Sequence, residues 1–124
     1  MVARHFVVAA LWADCDEGTH PQVPHKTDAK AFTICKSFID ANLALFNEAM
    51  GRADDGYGAH PDAGSAEAAF GHDLWLTLLG HGAGFWDRTE LDADGLGRRL
   101  TDACDVFTPK PYAEQYRGWF YIVA

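Results

Sequence analysis

From Asp28 to Met50 apolar residues return every three or four positions, at Ala31, Ile34, Phe38, Ala41, Leu45 and Ala49. That interval matches the 3.6-residue turn of an α-helix and predicts one amphipathic helix across this stretch. Thr27 or Asp28 can accept hydrogen bonds from the first free amides, and Gly51 supplies a residue that readily takes the left-handed conformation ending a helix. Phe32, Ile39, Leu43 and Phe46 widen the apolar surface, so the helix has two covered faces and a central position. Whatever else the chain forms must pack around it.

The remaining segments are shorter. His5 to Asp14 carries both a helical stripe (Phe6, Val7, Ala10, Leu11) and a strand-like Val7-Val8, and it leans toward helix. Cys15 to Lys26, with Gly18, Pro21 and Pro24, reads as a loop. Arg52 to Gly71 reads as a long loop with at most one helical turn at 65–69, and loops of that length in compact domains tend to be functional or mobile. From Asp73 to Leu79 the alternation of Leu74, Leu76 and Leu78 with Trp75, Thr77 and Leu79 predicts a strand covered on both faces. Gly80-His81-Gly82-Ala83-Gly84 would turn that strand back through Phe85-Trp86-Asp87-Arg88 as a hairpin. Leu96, Leu100, Ala103, Cys104 and Phe107 predict a further helix stopped by Pro109 and Pro111, with Asp92 and Asp94 ahead of it where they complement the helix dipole. Tyr112 to Ala124, rich in aromatic and β-branched residues around Arg117-Gly118, predicts a second hairpin. The expected architecture is α+β: an antiparallel sheet of about four strands in two hairpins, with about three helices packed on it.

At 124 residues this is one domain, 1–124. Four Trp and eight Phe give it enough apolar bulk to fold without disulfides or a structural metal. The three cysteines, Cys15, Cys35 and Cys104, are odd in number and lack Cys-x-x-Cys spacing, which suits a reducing cytosol. The apolar run at 6–13 is too short to span a bilayer and lacks the pattern of a signal peptide, so the expected location is cytoplasmic.

Charge narrows the class of partner. Ten Lys and Arg against eighteen Asp and Glu give a net charge of −8, which opposes direct approach to nucleic acid or to an anionic membrane. Between Ala53 and Asp87 lie Asp54, Asp55, Asp62, Glu67, Asp73 and Asp87 with no Lys or Arg among them. Such a run is either a solvated, solubilising face or a surface for a basic partner.

Motifs for catalysis are weak. The glycine-rich turn lacks the Gly-Lys-Ser/Thr of a phosphate loop and does not lead from a strand into a helix. Gly80-His81-Gly82 is reminiscent of an esterase oxyanion loop, but no Gly-x-Ser-x-Gly elbow exists and the only serines are Ser37 and Ser65. Cys35 and Cys104 fall on apolar helix faces, where cysteine is usually a small core residue. His20 and His25 share a loop with Asp14, Asp16 and Glu17, and His72 could face His81 across a bent hairpin, yet neither pair has metal-ligand spacing. Glu90-Leu91-Asp92-Ala93-Asp94-Gly95 matches the first half of a calcium loop, but Thr101 stands where the bidentate Glu belongs. No cofactor, metal ion or catalytic residue is expected. The aromatic cluster of Trp75, Phe85, Trp86, Trp119, Phe120 and Tyr121 reads as core or, alternatively, as an exposed interface anchor.

Gly71-His72-Asp73-Leu74-Trp75-Leu76-Thr77 and Gly80-His81-Gly82-Ala83-Gly84-Phe85-Trp86-Asp87-Arg88 resemble the central motif of a widespread family of small bacteriophage proteins. Ala10-Leu11-Trp12 with Asp16-Glu17, and Leu96-Gly97, fit the same family, so the resemblance runs from about residue 6 to 107. It implies a host-cytoplasmic phage protein, and in size and charge the chain is similar to anti-CRISPR inhibitors, which commonly block nucleic-acid sites with carboxylates that imitate phosphates. On that resemblance the partner is a host protein with a basic nucleic-acid-binding surface, such as a CRISPR effector, met through Asp54, Asp55, Asp62, Asp73, His81, Trp86 and Asp87. The alternatives are a His/Asp-dependent enzyme or metal-binding modifier built on His72, His81 and Asp87, and a phage accessory protein that oligomerises. Whether the domain dimerises stays open.

Overall fold

A computed structural model describes residues 1–59 and 64–124 of the chain. Helix α1 (Val2–Asp14) buries Phe6, Val7, Ala9 and Ala10. Its small alanines let it lie close along α4 (Ala66–Leu78), and these two form the most extensive helix pair in the fold. At the crossing Gly71 sits against the Val2 carbonyl, where a Cβ would overlap it. Phe6 meets Trp75 edge to face, with ring centroids 5.1 Å apart.

Helix α4 is the centre of the molecule. Ala66, Ala68, Phe70, Gly71, Asp73, Leu74, Trp75, Leu76 and Leu78 are all buried, on every side of the helix. Ser65 starts it, its hydroxyl accepting from the Ala68 amide at 3.1 Å. Phe70 joins a chain of rings at its middle, with centroids 4.9 Å from Phe46, 4.9 Å from Phe85 and 6.3 Å from Phe38.

This corrects the expected architecture. Among the described residues there are five α-helices and one two-stranded antiparallel sheet, in place of three helices on about four strands. The strand expected at 73–79 is the second half of α4, and the hairpin partner expected at 85–88 is a 3-10 turn, Phe85–Asp87. A helix covered on all sides is apolar at nearly every position, so a period of two can be read into it by chance. Thr77 is the only β-branched residue between 66 and 79, and leucine and alanine favour helix.

The long helix expected across 28–50 is two helices, α2 (His25–Ala41) and α3 (Leu43–Gly51). They break at Asn42 (φ −132, ψ 38), whose side-chain amide donates to the Phe38 carbonyl at 2.9 Å. Thr27 does not cap α2, which begins after Pro24; its buried hydroxyl instead donates to the Phe120 carbonyl at 2.8 Å. Helix α5 (Leu96–Val106) turns Leu96, Leu100 and Cys104 inward, as its spacing predicts.

The strands β1 (Tyr112–Tyr116) and β2 (Trp119–Val123) pair from Tyr112↔Val123 to Tyr116↔Trp119. Arg117 (φ 50) and Gly118 (φ 83) form the two-residue turn, both left-handed, as a tight hairpin requires. Phe120 and Ile122 face the core, while Tyr112, Tyr116 and Trp119 are exposed. Gln22 pairs with the hairpin, its amide donating to the Gly118 carbonyl and its carbonyl accepting from the Phe120 amide, each at 2.8 Å. No helix among the described residues is long and apolar enough to cross a membrane.

Candidate functional site

Asp73 is a charged side chain in the middle of the buried helix, with only 1% of its surface exposed. Such a group costs several kcal/mol unless its oxygens are satisfied. Its Oδ2 accepts from the Tyr57 hydroxyl at 2.8 Å, and its Oδ1 accepts from Arg88 Nε at 2.9 Å and Nη2 at 2.7 Å. Burial pushes the Asp73 carboxyl above its ordinary range, while the Arg88 and Tyr57 hydrogen bonds pull against that rise. Burial, reinforced by the neighbouring carboxylate, holds the Tyr57 hydroxyl protonated far above its usual range.

The segment after α4 is fixed by the same turn of helix. Thr77 Oγ1 donates to the Asp73 carbonyl at 2.7 Å and accepts from the Phe85 amide at 3.2 Å. Gly84 (φ 135) lies so close to Thr77 and the Asp73 carbonyl that a side chain would not fit, and its amide donates to Asp87 Oδ1 at 3.0 Å. Gly84 therefore serves a close backbone approach, while Gly80 (φ 68) and Gly82 (φ 74) take left-handed turn conformations in open space.

Asp73 thus joins two stretches of chain. One is the 3-10 turn Arg52–Asp55, carrying exposed Asp54 and Asp55 just before Tyr57; the other continues from Arg88 into the 3-10 turns Thr89–Leu91 and Ala93–Gly95, with Glu90, Asp92 and Asp94. Arg52 ties the two together, donating to the Glu90 carbonyl at 3.3 Å and the Ala93 carbonyl at 2.9 Å. Asp54, Asp55, Glu90, Asp92 and Asp94 consequently lie on adjoining turns, and among the described residues none of them forms a salt bridge. Asp92 and Asp94, expected to serve the dipole of the next helix, belong to this acidic face: Asp94 (φ 59) and Gly95 (φ 63) separate them from α5.

The site residues expected from sequence divide accordingly. Asp54 and Asp55 are exposed together. Asp73 is buried and spent on Tyr57 and Arg88, so it is not a surface carboxylate. Asp87 is exposed but bonds the Gly84 amide, and Trp86 is 54% exposed beside it. His81 belongs to a different corner, where its Nε2 lies 2.8 Å from Asp14 Oδ2, the same oxygen that accepts from Trp75 Nε1 at 2.6 Å. Asp62 lies outside the described residues.

His72 and His81 do not face each other. His72 borders a cleft of about 440 Å³ together with Trp12, Tyr57, Arg88 and Glu90, its ring 5.8 Å from that of Trp12; His81 borders a separate, shallower one. Among the described residues no three His, Cys, Asp or Glu side chains are grouped to hold a metal ion. Cys35 and Cys104 are buried, and burial pushes each thiol up to about 12.

Sequence spacing missed Trp12, Tyr57, Arg88 and Glu90 as members of the site. A signal for Arg88 exists: it is the only Lys or Arg between Arg52 and Arg98, in an otherwise acidic and apolar stretch, where an internal partner is the natural expectation. Comparison of the chain with protein-family models, curated proteins and solved structures finds no match.

Proposed function

We propose that this protein acts by binding, presenting its acidic turns to a basic surface of a nucleic-acid-processing protein in the manner of an anti-CRISPR-type inhibitor. The observation that carries this reading is the buried Asp73 carboxylate. Through Tyr57 and Arg88 it holds the turns bearing Asp54 and Asp55 beside those bearing Glu90, Asp92 and Asp94. Five carboxylates held on short, tethered turns form a rigid negative patch, which pays little ordering entropy when it meets a basic groove. Exposed Trp86, next to Asp87 on the neighbouring turn, supplies an aromatic anchor of the kind that dominates interface energetics. The resemblance to phage proteins directs the reading to a host target, a CRISPR effector among them.

The test is capture of the target by the intact chain, followed by titration of the complex at increasing salt. Binding should weaken steeply between low and physiological ionic strength and weaken further when Asp54 and Asp55 are both changed to Asn. A complex indifferent to salt and to those substitutions excludes this mode of action.

A further inference from the structure

The cleft beside the acidic turns has the chemistry of a socket for one long cationic side chain. We propose that it receives an arginine of the partner, stacked on Trp12 and paired with Glu90, an assignment that rests on the acidic-face reading above and names its anchor.

Trp12 is 75% exposed at the cleft wall, its ring 5.8 Å from that of His72 and most of its indole surface open to solvent. Exposed indole faces bind cations, and the planar guanidinium stacks on them better than ammonium does. The same cleft offers Glu90, half-buried, with no side-chain partner among the described residues. Val8, Ala68 and Ala69 also line the cleft, apolar surface suited to the methylenes of a long side chain.

The charges already present leave room for a cation. Arg88 is compensated by Asp73 within the same wall. Burial and the neighbouring Arg4 hold His5 below its ordinary range, which disfavours a charge there. Glu90, which shares the cleft with His72, forms no salt bridge with a described residue, and Asp54 and Asp55 lie on the next turn. An anion meets repulsion here, and a neutral ligand forgoes the Glu90 pairing.

The intact protein, isotope-labelled for NMR, is titrated with N-acetyl-arginine amide and separately with N-acetyl-citrulline amide, which has the same shape without the charge. Arginine should shift the Trp12 indole N–H and the Gly58 amide saturably, with citrulline at least about five-fold weaker. Trp12→Ala and Glu90→Gln should each weaken the arginine response by about the same factor, while Trp12→Phe retains part of it. Equal responses to both compounds, or shifts confined to the amides of Asp54, Asp55, Asp92 and Asp94, overturn the socket while leaving the acidic face standing. Loss of salt dependence in the partner complex overturns the acidic face instead, whatever free arginine does.

Discussion

Asp14 and Asp73 are held alike and placed differently. Each carboxylate sits on one member of the α1–α4 pair and accepts from an aromatic donor and a basic side chain: Trp75 and His81 for Asp14, Tyr57 and Arg88 for Asp73. Asp14 keeps 22% of its side-chain surface in water, whereas Asp73 keeps 1%. Where water reaches the carboxylate, a histidine, charged only when protonated, can serve as partner. Where it does not, the base must be permanently charged and must supply two donors, and arginine alone meets both conditions. The dry cluster therefore determines structure, and the wet one trims it.

The most severe way to break this contrast is Arg88→Ala, which leaves Asp73 buried without a cation. It should cost about 3–5 kcal/mol, read from urea denaturation, and a loss under 1 kcal/mol would show that water reaches the site. Replacing Asp73 and Arg88 together by Leu and Met should recover much of that loss, because the buried charge is then gone. Asp14→Ala should cost less, about 1–3 kcal/mol, nearly all of it from the buried Trp75 indole losing its acceptor. If Asp14→Ala proves as costly as Arg88→Ala, burial is not what separates the two clusters.

His5 sharpens the rule from another side. Its folded-state pKa lies below the ordinary 6.5, chiefly through burial and next through Arg4. The neutral ring's contribution to stability is present above that value and is lost as the pH falls through the folded one. His5→Gln should flatten the decline in stability on acidification below pH 6.5, an effect of less than about 1 kcal/mol. The smallest change belongs to Asp54→Asn with Asp55→Asn, which should leave unfolding within about 0.5 kcal/mol of the parent, since these exposed carboxylates have no salt-bridge partner among the described residues.

The legible parts of the fold are those where one face meets water. Helix α5 and the C-terminal hairpin each alternate between core and solvent at their own period, and Arg117-Gly118 marks the turn between the strands. Helix α4 has no wet face from Ala68 to Leu76 apart from partly covered Ala69 and His72, so its period is erased and Leu74, Leu76 and Leu78 imitate a strand. The break at Asn42 is equally silent, because the apolar spacing continues through it. For the site, charge counting found Asp54 and Asp55 but could not reveal that Asp73 turns inward. Its partners stand 16 residues before and 15 after it, a separation at which no local periodicity operates. The same long reach hid Trp12, brought to the cleft only by the crossing of α1 over α4.

The bridge from Gln22 and Thr27 to the C-terminal hairpin carries a consequence for the order of folding. The Thr27 hydroxyl reaches a carbonyl 93 positions along the chain, so this latch cannot close during synthesis until every intervening residue has been made. The helices, with their shorter-range contacts, can collapse first and leave the groove that receives Phe120 and Ile122 open to solvent. A nascent molecule halted before Tyr112 would expose that apolar strip, making it a natural recognition mark for chaperones.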